Sequence, residues 1–225
     1  MSTLLLRLAA PLQSWGINAK FERRGTERVP TKSGVIGLVA AALGRRRDES
    51  IQDLQVLRFG VRVDREGLLL RDYHTARSRN SAYVTQRYYL SDAVFLAGLE
   101  GAENKLIEIA SALQSPVFPL FLGRRSCPPE GKLLLGIRKD KNLLEALKEE
   151  PWLISSWSRK RNASKALRLI VDAEDTAASA YFQKDLPLSF DQTHRRFGFR
   201  RVFEPDPLII KRPTEHDPML ELRGD

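Results

Sequence analysis

The chain has 225 residues, 42% of them hydrophobic, with Lys+Arg 37 against Asp+Glu 28 and a formal net charge of +9. It is long enough to bury a core of its own, and its basic balance points to a polyanionic partner, either nucleic acid or an anionic surface. A single cysteine, Cys127, excludes an internal disulfide and a cysteine-based zinc site, and His74, His194 and His216 form no metal-ligand spacing, so no metal or other cofactor is expected.

Residues 3–9 read as a buried strand closed by Pro11. A polar, basic loop follows over 13–29, with Trp15 and the Arg23-Arg24 pair. After Pro30 a helix is expected, capped by Thr31 or Ser33 and stopped at Gly44, with Val35, Leu38, Val39, Ala42 and Leu43 on one apolar face. A short helix is expected over 50–57. Residues 58–64 alternate strictly and read as a half-buried strand, with 68–71 as its hairpin partner across a turn at 65–67. Residues 72–86 are polar, with a tip near 77–81. Residues 87–99 read as strand again, and the 93–97 stretch is apolar on both faces, as in a central strand. A helix over 103–113 and a strand over 132–137 complete the order β-α-β-β-α-β. That order predicts an α+β, ferredoxin-like (RRM-like) unit over residues 1–140, carrying an inserted hairpin at about 72–88. Beyond it, 141–225 is expected to be an irregular extension packed on the core, with a helix over 142–149 and strands near 166–171 and 197–203. No stretch approaches a membrane span, and a soluble, cytoplasmic protein with no membrane partner is expected.

The most informative segment runs from Phe118 to Pro129, where an apolar run breaks on Gly123 and turns into Arg124-Arg125-Ser126-Cys127. Gly123 permits a positive φ and close backbone approach. Successive N–H groups in such a turn form an anion nest. Arg124 and Arg125 add bidentate donors and Ser126 a hydroxyl. The same residues also describe a surface turn with two solvated arginines. The helix start at Lys32 and Ser33 is a second candidate anion site, against a capped amphipathic helix with glycines for packing; it lacks the P-loop spacing. Tyr73 and His74 are the residue types of general acid–base chemistry, but neighbours on a strand point to opposite faces. The stretch 194–203 interleaves bases with aromatics, and Phe197, Phe199 and Phe203 share a strand face, which favours burial in a core over a role in stacking. Arginine outnumbers lysine 26 to 11, which suits phosphate and base contact; a GC-rich genome gives the same excess.

Four ordered blocks resemble the CRISPR-associated Cas-five family, subtype I-E, whose members are subunits of the Cascade surveillance complex. They are residues 5–16 (Leu5 to Gly16), 30–38 (Pro30 to Leu38), 70–75 (Leu70 to Thr75) and 122–128 (Leu122 to Pro128). The resemblance implies a RAMP core of RRM-like form with an arched hairpin, the thumb. It implies a binder that caps the crRNA and holds its 5′ handle, touches the CasC-type backbone subunit and the CasA-type large subunit, and meets target DNA only through the complex. Cleavage of the repeat would belong to a separate endonuclease. The expected RNA contacts are Gly123, Arg124, Arg125 and Ser126 for phosphates, with Lys32 and Ser33 as a second clamp. Trp15 and Tyr73 would stack on or wall off bases, although Trp15 also reads as a core aromatic. Tyr73 and His74 lie in the matching block, and Arg77, Arg79 and Arg87 would lie on the thumb near RNA or the backbone subunit. The alternative is a metal-independent endoribonuclease acting on repeat RNA, for which Tyr73 and His74 provide two of the needed residue types.

Overall fold

The computed structural model of the chain describes residues 1–16, 23–77, 79, 81–154, 166–174 and 179–210. In chain order the elements are β1 (Ser2–Ala9), β2 (Leu12–Gln13), β3 (Arg23–Arg24), α1 (Lys32–Ala42), α2 (Gln52–Gln55), β4 (Arg58–Arg65), β5 (Leu68–Arg77), β6 (Ala82–Ser91), β7 (Val94–Gly101), α3 (Glu103–Gln114), β8 (Leu134–Arg138), α4 (Leu143–Glu149), β9 (Ala166–Leu167), β10 (Leu169–Asp172), β11 (Tyr181–Ser189), β12 (Arg196–Phe203) and β13 (Leu208–Ile209). The protein is a mixed α+β fold. Its main sheet has seven strands in the order β11-β12-β10-β4-β7-β1-β8, and every adjacent pair is antiparallel. A second sheet is built around β6, with β5 on one edge and β2 and β3 on the other. Among the described residues no helix is long and apolar enough to cross a membrane.

Two apolar layers clamp the main sheet, and alternation along each strand sends residues to both. Leu4, Leu6 and Leu8 of β1 join the larger core with α1 and α3, whereas Leu5 joins a smaller core under α4. Burial of each such leucine is worth about 1.5–3 kcal/mol. Gly60 of β4 lies directly opposite Gly98 of β7. A methyl group at Gly98 would come within 2.7 Å of the Leu143 side chain, and one at Gly60 within 3.0 Å of Leu147. The paired glycines therefore form a flat seat for α4. That helix starts on a capping box, in which Asn142 and Glu145 satisfy each other's backbone N–H groups.

The helices fall where periodicity places them. Thr31 caps α1 by accepting from the Gly34 N–H, and Gly44 has a φ of +77° just beyond the helix end. Several strands differ from expectation. β4 is not half-buried: α4 covers its second face, and the fully buried Arg62–Asp64 pair closes the polar positions, Arg62 donating further to the Leu147 and Pro151 carbonyls. β5 does not pair with β4, whose edges are taken by β7 and β10; it pairs along its length with β6, so the hairpin spans 68–91 rather than 72–88. The expected strand over 87–99 is two strands, separated where Asp92 takes a φ of +55°. The extension after residue 140 is not irregular in its described part, because β10, β11 and β12 continue the main sheet. β11 is a strand that periodicity does not reveal. Its apolar residues are broken by Gln183, Lys184 and Pro187, and the strand is bulged. Residues 17–22 of the basic loop, the hairpin-tip residues 78 and 80, and the tail with His216 lie outside the described residues.

Candidate nucleic-acid interface

The hairpin supplies a long, partly basic platform. The β5–β6 ladder runs from Leu68↔Ser91 to Arg77↔Ala82. β3 lies parallel to β6 with Arg23 opposite Gln86 and Arg24 opposite Arg87. Strand alternation puts Arg23, Tyr73, Gln86 and Tyr88 on one face and Arg24, Asp72, Arg87 and Tyr89 on the other. The Arg23 guanidinium lies 5.4 Å from the centre of the Tyr88 ring. An open pocket of about 440 Å³ on the outer half of the hairpin is lined by Arg23, Tyr83, Val84 and Gln86. Tyr73 is 65% exposed and opposite Gln86, whereas His74 is opposite Thr85. As consecutive strand residues, Tyr73 and His74 face away from each other. Arg77 and Arg79 are exposed towards the tip.

The turn at Gly123 meets the inner end of this platform. Gly123 has a φ of +85°, and a Cβ there would sit 1.6 Å from the Ser14 carbonyl oxygen. Glycine is thus required for the turn to dock on the chain beside Trp15, a seam closed by the Ser14 N–H donating to the Leu122 carbonyl. Inside the turn, the Leu122 N–H donates to the Cys127 carbonyl and the Cys127 N–H to the Arg124 carbonyl. The N–H groups of Arg124, Arg125 and Ser126 have no acceptor among the described residues, and Arg125 and Ser126 are exposed. Cys127 is buried, and burial pushes its thiol pKa up against the smaller opposing effects of Ser126 and Arg124. It fills space and is not an activated nucleophile.

Arg124 is not a solvated cation. Its guanidinium stacks 4.7 Å from the centre of the Tyr89 ring, and Nη2 donates to the Arg24 and Gly25 carbonyls at 2.7 and 3.2 Å. It pins β3 onto the hairpin. Its Nη1, however, is buried with no hydrogen-bond partner among the described residues, and so is Nε of Arg87. Arg87 and Tyr89 share one face of β6, so both orphaned donors belong to the same surface. A buried, unsatisfied donor costs about 1–3 kcal/mol, more when charged. Both donors are charged, and they lie on one surface.

Two of the expected contacts are buried within the chain. The Lys32–Ser33 clamp is already filled from within the chain. The Lys32 backbone N–H donates to Asp185 at 2.9 Å, Lys32 Nζ pairs with Asp172 at 3.0 Å, and Arg200 bridges the two carboxylates at 2.6 Å each. Lys32 and Ser33 are buried; Asp185 provides the negative charge that the helix dipole favours. Trp15 is a core residue at 1% exposure. Its indole N–H donates to Gln13, and its ring lies against Gly34, where a Cβ would come within 2.8 Å. Sequence reasoning missed the pairing of Arg23 and Arg24 with β6 and the part played by Tyr88 and Tyr89. The run Arg87-Tyr88-Tyr89 was a visible signal, a base beside two aromatics on a strand.

The family model described as CRISPR-associated protein (Cas_Cas5) matches residues 3–203, nearly the whole described fold. The chain belongs to this Cas5 family. The CRISPR system Cascade subunit CasD of Escherichia coli (strain K12) is 39% identical over 60% of this chain and 70% of its own length. Two solved structures share the fold. One, described as the crystal structure of a Cas protein, is 41% identical with a TM-score of 0.72, covering 92% of this chain and 95% of its own. The other is a chain of a CRISPR RNA-guided surveillance complex, 33% identical with a TM-score of 0.76, covering 92% and 90%.

Proposed function

We propose that this Cas5 protein is the RNA-binding subunit of a type I-E CRISPR surveillance complex, a non-catalytic cap that holds the 5′ handle of the crRNA. The observation that carries the reading is the pair of buried guanidinium nitrogens of Arg87 and Arg124 that have no partner among the described residues, on the hairpin face beside the Gly123 turn. A single-stranded handle is gripped by phosphate contacts and by splayed bases on aromatic rings. Arg87, Arg124 and Arg125, with the N–H groups of the turn and the Ser126 hydroxyl, take the phosphates. Tyr73 on the outer hairpin takes a base, with His74, Arg77 and Arg79 along the path towards the tip. The match to Cascade CasD and to a surveillance-complex chain supports this assignment. The βαββαβ unit, with strand order β8-β1-β7-β4, is read as a ferredoxin-like RAMP core over 1–140, with 141–225 as its extension and the 68–91 hairpin as the thumb. In this reading the thumb and sheet edges meet the CasC-type backbone and CasA-type large subunits, and target DNA is reached through the complex.

Binding of 5′-labelled repeat RNA in chelator tests the assignment. Arg124→Ala with Arg125→Ala is expected to weaken handle binding by a few kcal/mol, at about 1.5–3 per charged hydrogen bond. If about four phosphates are neutralised, the wild-type salt slope is near −3, from roughly −0.7 per contact on single strands. Site-specific cleavage of the RNA that disappears in His74→Ala would overturn the non-catalytic reading. The opposed faces of Tyr73 and His74 argue against that outcome.

A further inference from the structure

A second surface stands apart from the hairpin and turn. On β12 the residues of one face read Arg195, Phe197, Phe199, Arg201 and Phe203, from the turn before the strand to its end. Sequence reasoning assigned these phenylalanines to the core. Only Phe203 packs at the margin of the small core under α4; Phe199 is 61% exposed. On the neighbouring edge strand β11, Phe182 lies opposite Arg201 on the same face and is 70% exposed. The smaller core ends at Phe203, and α4 sits over the central strands, so among the described residues no helix covers this face of the outer two strands.

The cations of this face sit on rings. Lys184 Nζ lies 5.7 Å from the centre of the Phe199 ring, and the Arg195 guanidinium lies 5.1 Å from Phe197 and 6.0 Å from Phe190. Burial first, and then the Arg47 charge, depress the Arg195 pKa. The nearby acids are committed elsewhere. Asp191 accepts from Thr193 and from the His194 N–H within its own turn, Glu204 is held by Arg168 and Tyr181, and Asp185 is buried against Arg200. An apolar docking face for a protein is depleted of charge at its centre. Here each exposed ring is interleaved with a cation, which is the pattern of a single-strand stacking surface.

We infer that the outer face of β11 and β12 is a second nucleic-acid platform, on which Phe182 and Phe199 stack unpaired bases while Lys184 and Arg195 take the phosphates. It goes beyond the handle site, shares no residue with it, and accepts an unstructured single strand without reading its sequence.

The test uses the full chain carrying Arg124→Ala and Arg125→Ala, so that the turn contributes little, and measures anisotropy of labelled oligothymidylate and oligouridylate. Adding Phe182→Ala and Phe199→Ala is expected to weaken both by on the order of tenfold per ring. Phe199→Tyr restores the binding, because tyrosine stacks as well. Lys184→Gln with Arg195→Gln lowers the salt slope by about 0.7 for each phosphate no longer neutralised. Equal binding of both oligomers supports a platform indifferent to the sugar; a preference for one also supports it and names RNA or DNA as the natural strand. Unchanged affinity in the ring variants overturns the inference. So does loss of a co-purifying complex subunit with oligomer binding intact, which would make this face a protein interface. Handle binding in an otherwise wild-type chain is unaffected by the ring variants. Failure of the platform and failure of the handle site are therefore separable.

Discussion

Replacing Arg87 with methionine separates an arginine kept for binding from one kept for stability. Nε of Arg87 is buried and has no partner among the described residues, and the residue is half-buried on β6 opposite Asp72. An unsatisfied buried donor costs about 1–3 kcal/mol. Methionine keeps an unbranched apolar stem in the same space and removes the donor. The free protein is then expected to gain about 1 kcal/mol, after allowing for the packing that the partly exposed guanidinium supplies. In a chain of this size that raises Tm by about 2–4 °C. Handle affinity moves the other way. Losing a charge-assisted hydrogen bond to phosphate costs about 1.5–3 kcal/mol, or roughly ten- to 150-fold in Kd. Thermal unfolding and anisotropy with labelled repeat RNA read the two quantities on one preparation. A lower Tm with unchanged RNA affinity would refute the reasoning, since Arg87 would then be a structural residue with its needs met.

Gly123→Ala is expected to destabilise the protein by about 2–5 kcal/mol in urea unfolding. Roughly 1–2 comes from a non-glycine residue in the left-handed region and about 1–3 from the collision with Ser14; a stability equal to wild type would show that the turn moves freely. Asp53→Asn tests an electrostatic cluster on the helical side. Arg45, by hydrogen bonding, and then Lys105 hold the Asp53 carboxyl well below the usual aspartate range, so its contribution is fully present above pH about 4 and is lost as pH falls through the depressed folded value. The stability difference between wild type and Asp53→Asn should therefore be largest near neutrality and shrink in acid; a difference independent of pH would refute the assignment.

Much of the central fold was legible because local pattern and tertiary demand agree there. The apolar run of β1, the spaced apolar residues of α1 and α3, and the caps at Thr31 and Asn142 each act within a few residues of chain. The site was legible in part. Gly123, Arg124 and Arg125 stood out because a glycine before paired arginines is a local signal. Whether each arginine faces solvent is not local. Arg124 is drawn inward by Tyr89 and by two carbonyls about a hundred residues away in sequence, and Lys32 is claimed by Asp172 and Asp185 from the far end of the chain.

By itself the sequence determined the basic character, the element types along the first 140 residues and the family blocks, because charge, periodicity and turn chemistry are properties of neighbouring residues. Only the tertiary structure decided which strands share edges, which phenylalanines of β12 are exposed, and which cations are spent. Alternation tells that two faces exist and not what covers each: α4 over Gly60 and Gly98 buries one face of β4, whereas on β11 and β12 the same side leaves Phe182 and Phe199 exposed. Likewise an arginine's charge is written in the chain, but its availability depends on long-range acceptors. For Arg87 and Arg124 the described residues leave one nitrogen each without a partner.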